Sequence, residues 1–294
     1  MKRVSVRRHL GLAPIAAAVL AYGGYVSASR SEPRPVAAAP IDYAVESPGV
    51  DEFFDAPRQV WKRGVLDRPE VVLTFDDGPH GRATERILDT LKSKGTPATF
   101  FVVGKMVERH SALVRRMLAE GHEVGNHTYE HLRLDGMPEE RIEKELAACA
   151  ASIERATGHR AILMRPPGMR ECDPLIQANL NLGLVLVRWN IGAKDYVGDV
   201  PKRMLPKELR GLPPTTPEMV VERVERQLKN GGIILLHDNH IVADALPRLI
   251  DAIHAKGFTI VPATKMISRL SQGVRVDPNP VASPAILRAR ATAR

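Results

Sequence analysis

Short apolar runs alternate with longer stretches of helical spacing through the middle of this chain. Runs of strand length occur at 71–75, 98–103, 122–126, 161–165, 184–190, 232–237 and 258–262. Between them, 84–94, 106–120, 139–157, 174–182, 217–230 and 245–256 repeat Leu, Ile, Val, Ala and Met at the interval that gives a helix one apolar stripe. Gly95, Gly121, Gly158, Gly183, Gly231 and Gly257 follow these stretches, where a left-handed helix cap is wanted. Seven strands alternating with six helices predict an α/β domain, either a parallel β/α barrel or a doubly wound sheet. Gly198 to Pro217 is longer than an ordinary connection and rich in Pro, Lys and Arg. It reads either as a substrate-shaping loop or as a plain insertion.

The ends do not carry this alternation. Lys2, Arg3, Arg7 and Arg8 precede an apolar run from Leu10 to Tyr22, which leads through Gly23-Gly24 to Val26-Ser27-Ala28. A basic start, a short apolar stretch and small residues before a cleavage point describe an export signal over 1–28. The run is short and broken by Pro14, a poor membrane span, so membrane contact is expected only if the segment stays uncleaved as an anchor. Arg7-Arg8 with Leu10 also fits a twin-arginine start, a common enough pair to carry little weight. The protein is therefore expected to be exported to the periplasm or cell envelope, or secreted. Residues 29–67 have the Pro- and Ala-rich composition of a linker or N-terminal extension, and 266–294 that of a disordered basic tail. Between them, 68–265 is long enough for a single catalytic domain with a sizeable core.

Charge narrows the partners. The formal net charge is +8 over 294 residues, but with Lys2, Arg3, Arg7 and Arg8 set aside, 38 Lys and Arg face 34 Asp and Glu. The tail from Arg269 onward holds five arginines against Asp277 alone, so the central domain is near neutral. That argues against a nucleic-acid footprint. Cys149 and Cys172 are too few for a disulfide scaffold, and their pairing is not decided by sequence. Cys149, in a helical pattern, reads as a small buried residue.

Five apolar runs end in groups able to bind a metal or move a proton. Val71 to Phe75 runs into Asp76-Asp77-Gly78-Pro79, and Val124-Gly125-Asn126 into His127-Thr128-Tyr129-Glu130-His131. Ile162 to Met164 runs into Arg165-Pro166-Pro167-Gly168, Leu184 to Ile191 leads to Asp195, and Ile233 to Leu236 runs into His237-Asp238. In a parallel barrel the carboxyl ends of the strands share one face, so such groups converge. Histidines four apart lie on one side of a helical turn and can share an ion. Adjacent carboxylates on an extended segment point opposite ways, so of Asp76 and Asp77 one can face a metal and the other a reacting water.

These stretches resemble the motifs of the polysaccharide deacetylases, carbohydrate esterase family four with its NodB-type domain. Thr74 to Pro79 is similar to the first motif, Asn126 to His131 to the second, Arg165 to Gly168 to the third and Leu235 to Asp238 to the fifth. The fourth is looser. Trp189-Asn190-Ile191-Gly192-Ala193-Lys194-Asp195-Tyr196 keeps the leading Trp and the later Asp, with Gly192 where an acid is frequent and Tyr196 where Trp is usual. The resemblance covers about 68 to 265. It implies a deformed parallel (β/α)7 barrel that removes acetyl groups from N-acetylated sugars. It also implies Asp77, His127 and His131 as ligands of one divalent ion, zinc first, with cobalt and nickel as alternatives. Asp76 is implied as general base and His237 as general acid, with Arg165 orienting Asp76 and Asp195 supporting the charged His237. Leu235 and Tyr196 would wall the acetyl pocket, with the Gly168 N–H as an oxyanion donor. Gly168 stands where many members carry an aromatic, which leaves that wall open.

The partner expected is an N-acetylated glycan, met by a monomer. Rival readings are an O-acetyl xylan or glycan esterase with the same machinery, an inactive carbohydrate-binding protein, and a metallopeptidase. The last rests on His127-Thr128-Tyr129-Glu130-His131, which fits the inverted zincin string His-x-x-Glu-His and wants a continuous helix. His122 reads as a structural hydrogen bonder and Trp189 as barrel packing rather than a sugar platform. His80, His240 and Asp238 read as rim or cleft residues.

Overall fold

In the computed structural model, which describes residues 50–270, the strands are β1 Phe54–Asp55, β2 Val60–Trp61, β3 Glu70–Asp76, β4 Thr99–Val102 and β5 Glu123–Asn126. They continue with β6 Leu163–Met164, β7 Val185–Val187, β8 Ile191–Gly192, β9 Gly232–His237 and β10 Thr259–Ile260. The helices are α1 Val50–Phe53, α2 Gly81–Lys94, α3 Gly104–Arg109, α4 Ser111–Ala119 and α5 Glu139–Thr157. Then come α6 Asp173–Asn181, α7 Pro217–Gln227, α8 His240–Ala255 and α9 Ala263–Leu270. One sheet runs β1-β2-β7-β6-β5-β4-β3-β9-β8, with β10 paired to β3. Its pairings are parallel except β1 with β2. Helical crossovers between parallel strands curl this sheet into the deformed (β/α)7 barrel.

The pleat of β3 shows how the sheet separates core from cleft. Val71, Leu73 and Phe75 pack outward with Phe100, Ile234 and Leu236 against Ile87, Leu91, Leu246 and Ile250 of α2 and α8. Val72, on the other face, joins Trp61, Phe101, Val185, Val187 and Ile233 in an inner cluster. Thr74 and Asp76 share the face of Val72 because side chains repeat every second residue. The inner face is thus apolar at its amino end and polar at its carboxyl end.

All seven predicted strands form, shortened at several ends, and the predicted helical regions are helical. The 106–120 region divides at His110, which leaves helical geometry with φ −131° and ψ 40°. Two expectations about the ends need correction. The stretch taken as linker supplies β1 and β2, with Phe54, Val60 and Trp61 buried and Trp61 in register with Val187. The start of the stretch taken as tail is helix α9, where Met266 and Ile267 are buried against the inner cluster. Local composition missed both because a few large residues suffice when a neighbouring sheet supplies the rest of the core. The expected signal segment and the rest of the tail lie outside the described residues. No helix among the described residues is long and apolar enough to cross a membrane. Cys149 and Cys172 are both free, and burial pushes the Cys149 thiol up to about 12.

Candidate active site

Strand register sets the first relationship. Asp76 on β3 lies beside His237 on β9, in register on neighbouring strands. Both occupy the last strand position, where the chain turns out of the sheet. Asp77 follows in a left-handed conformation, φ 75°, which turns its carboxylate away from that of Asp76. The divergence of the two carboxylates therefore arises from a turn, not from the pleat of an extended segment. A side chain at Gly78 would collide with Asp238, since a Cβ there lies 2.1 Å from Asp238 Oδ2. Asp238 accepts from the Thr84 hydroxyl at 3.0 and 2.8 Å, and that oxygen accepts from His80 N at 2.6 Å. Asp238 N also donates to Asp76 O at 2.9 Å, so the β3 and β9 loops are tied together.

His127 and His131 do converge, though not on a helix. Residues 127–138 are non-helical, with Thr128 at φ 66° and His131 at φ 60°. The loop is held from several sides: Thr128 N donates to Asn126 Oδ1 at 2.9 Å, His131 N to Thr128 Oγ1 at 3.0 Å and Glu130 N to Glu145 at 2.9 Å. His127 Nδ1–H donates to the Arg165 carbonyl at 2.7 Å, which leaves Nε2 to face Asp77 Oδ1 at 3.1 Å. His131 Nε2 lies 3.0 Å from the same oxygen. One carboxylate and two imidazole nitrogens, all within 4.8 Å of one another, fit a divalent ion. The carbonyl fixing the His127 tautomer is the kind of outer partner that orients a metal-ligating imidazole. Burial would raise Asp77, but the His127 and His131 imidazoles against its carboxylate outweigh it and hold the carboxyl well below its ordinary value.

Two clamps flank this donor set. Arg165, 1% exposed, donates from Nη1 to Asp76 Oδ1 at 2.7 Å and to Thr74 Oγ1 at 2.8 Å. Its Nε reaches the Val187 carbonyl at 3.1 Å, and its guanidinium lies 4.3 Å above the Phe101 ring. Burial pulls Arg165 down while Asp76 opposes. On the other side, Asp195 is fully buried, lies 3.1 Å from His237 Nδ1 and accepts His237 N at 2.7 Å. Burial alone would lower His237; Asp195 first, then Asp77 and Asp76, push it up to about 10. Burial raises Asp238 to about 7, against the Thr84 hydrogen bond.

The predicted pocket walls lie here too. Tyr196 sets its ring edge-on to His237 at 5.1 Å, and Leu235 is 8% exposed on the strand face that carries His237. Leu205 and Leu209 of the Gly198–Pro217 segment form a small core with Val197, against which Tyr196 packs. Gly168 is exposed at φ 65°, and a Cβ there would meet nothing within 4 Å. Sequence reasoning missed Thr74 and Thr84; the Thr-x-Asp alternation was the available signal for Thr74. Asn239 was missed as well: its side chain accepts Val242 N at the start of α8 and approaches Asp195 at 3.5 Å. Two bland readings are corrected. Trp189 is 39% exposed, not packed in the barrel. His122 is buried, and among the described residues neither ring nitrogen has a hydrogen-bond partner.

A parallel barrel gathering a compact carboxylate–imidazole set and two ion-paired titratable groups at one end has the layout of a hydrolytic enzyme. Comparison with known proteins narrows the class. Residues 63–187 match the family model described as polysaccharide deacetylase. A chitooligosaccharide deacetylase of Sinorhizobium fredii is 33% identical over 208 residues, 65% of this chain and 89% of that protein. The solved peptidoglycan deacetylase PdaC from Bacillus subtilis is 30% identical, with 69% of this chain and 91% of that one covered and a TM-score of 0.60. A Bacillus anthracis chain described as a CE4 family pseudoenzyme shares the fold alone, at 24% identity, TM-score 0.62 and coverage of 71% and 68%. The chain belongs to the polysaccharide deacetylase family.

Proposed function

We propose that this protein is a metal-dependent hydrolase that removes N-acetyl groups from an N-acetylhexosamine-containing polysaccharide or oligosaccharide. The observation that carries the reading is the in-register pair Asp76 and His237, each clamped by its own counter-ion, beside the Asp77–His127–His131 donor set. Because a chain of this fold is described as a pseudoenzyme, the residues and not the fold must support activity. Here a full set of donors and proton-transfer groups is present.

Asp77, His127 and His131 would hold one divalent ion, zinc first, with cobalt and nickel also suited to two nitrogens and an oxygen. When bound, the ion supplies Lewis acidity toward the amide carbonyl and the attacking water. Asp76 takes the water's proton; Arg165 holds its Oδ1 and fixes the carboxylate plane. The water oxygen bonds to the carbonyl carbon, and the C–N bond breaks as His237 gives its proton to the leaving amine. Asp195 keeps that imidazole charged and oriented. Leu235 and Tyr196 wall the methyl of the acetyl group, and the Gly168 N–H is a donor to the developing oxyanion. The non-helical loop of 127–131 removes the support for an inverted-zincin peptidase.

The substrate class also fits the expected export: the relatives include enzymes named for peptidoglycan deacetylation. The chain is taken to act outside the cytoplasm as a monomer, on a glycan. Acetate release by metal-reconstituted protein tests this, with N-acetylglucosamine oligomers, acetylated xylan and a peptide supplied in parallel. Acetate from the oligomers is expected, lost in Asp76→Asn, with one ion per chain by elemental analysis and none in His127→Ala. Acetate from xylan alone would move the assignment to an O-acetyl esterase. Failure to take up a stoichiometric ion would overturn it.

A further inference from the structure

Trp189 is exposed in a place where an indole has a use. Ile191 and Ile234 pair across β8 and β9 and belong to the same core cluster on the helix side of the sheet. Gly192 and Leu235, the next pair, therefore face the opposite side, which is also the side of His237, two residues beyond Leu235. A Cβ at Gly192 would lie 3.0 Å from Cζ3 of Trp189 and 3.6 Å from Cε3 and Cη2. The benzo ring thus covers the space that a side chain at 192 would fill, on the cleft side of the sheet. Gly192 sits one strand over from Leu235 and roughly 8 Å, by strand geometry, from the backbone of His237. Trp189 is 39% exposed, so the indole keeps apolar surface open to solvent.

We propose that Trp189 is a substrate-binding residue, a platform on which one pyranose ring of the glycan stacks its C–H face while the acetamido group reaches Asp76 and His237, and that Gly192 is required because it makes room for the ring. An indole combines a large apolar face with few rotamers, so ordering it costs little and burying it under a sugar ring gains contact area. The proposal rests on the reading of this cleft as a glycan site. It explains a departure from the family pattern: an acidic side chain at 192 and an indole in this position exclude one another.

The chain has two tryptophans, and the other, Trp61, is fully buried. Red-edge fluorescence of the intact protein therefore reports Trp189. Titration with N-acetylglucosamine tetramer is expected to quench and blue-shift that emission, and Trp189→Phe is expected to lose the response while retaining the Trp61 band. In steady-state acetate release, Trp189→Ala should raise KM roughly 3- to 10-fold with little change in kcat, and Trp189→Phe should recover part of that loss. Gly192→Ala, whose Cβ would press on the indole at 3.0 Å, should raise KM in the same direction by a smaller amount. A thermal melt of each variant separates misfolding from lost binding, and Phe keeps an aromatic ring if Ala unfolds the segment. Unchanged emission at tetramer concentrations that saturate turnover would overturn the platform and leave the deacetylase reading standing. An emission change without acetate release from any glycan would support the platform and count against the reaction.

Discussion

Two histidines at opposite ends of the same sheet, His237 half-buried and His122 buried, meet opposite fates. His237 ends β9 at the cleft and is pushed up to about 10; His122 precedes β5 at the other end and is pulled down to about 4. Burial is the largest cause in both and lowers both. The difference is the company each keeps. His237 has Asp195 against its Nδ1 at 3.1 Å, with Asp76 and Asp77 nearby. His122 meets the Phe100 ring at a steep angle with centroids 5.7 Å apart, and the opposing influences of Glu120 and Arg116 do not offset its burial. An interior imidazole is neutral unless a carboxylate is brought to it, and here the carboxyl end of the sheet supplies that carboxylate.

The contrast is broken most severely by removing charge from the cleft end. Asp76→Asn keeps the shape but removes the proposed acceptor for the water's proton, and kcat should fall by roughly 10²–10⁴. It also leaves the buried Arg165 without its counter-ion, so the melting temperature should fall as well. His122→Phe, a change of similar size at the other end, should leave kcat unchanged. Equal loss of kcat in both variants would mean that the two ends are not functionally distinct.

Asp195→Asn is the next largest test. In the folded protein His237 stays protonated to about 10, against 6.5 ordinarily, so turnover that depends on this proton is retained into alkaline pH. The alkaline limb of kcat should lie between those values and move toward 6.5 in the variant, while the acid limb stays in place. The sign holds for stability too: this ion pair contributes fully below 6.5 and is lost as pH rises toward 10. A pH–rate profile unmoved by Asp195→Asn would remove His237 from the role of acid.

How much of this was readable from the sequence differs between the same two ends. The cleft end was legible because its chemistry sits at strand ends, where apolar runs stop abruptly at Asp76, His127, Arg165 and His237. A parallel sheet brings those ends together whatever lies between them. The loop around His131 was not legible, since its backbone depends on Asn126, Thr128 and Glu145 meeting from separate elements. The other end was hardest. Phe54, Trp61 and Met266 lie in stretches of linker-like composition, and their burial depends on tertiary partners such as Val187 and Phe101. His122 looked like a hydrogen bonder because local sequence reveals a polar group but not whether a partner arrives.

The smallest expected effect sharpens the comparison at that other end. His122 is 5% exposed and neutral in the fold, with a value of about 4 against 6.5 in an unfolded chain. As pH falls through 6.5 the unfolded chain takes up this proton, while the folded protein does not until about 4. The unfolded state therefore binds more protons across that window, and stability falls as pH falls, by roughly 3 kcal/mol by pH 4 from this one group. Phe at 122 has no proton to bind and a ring to set against Phe100, so His122→Phe should lose this share of the acid sensitivity. Urea unfolding of both proteins at pH 7 and pH 4.5 measures it as a difference between two differences, in which carboxylates common to both cancel. If the variant loses as much stability on acidification as the parent, His122 is protonated in the fold or reaches water. The two ends of the sheet would then not treat their histidines oppositely.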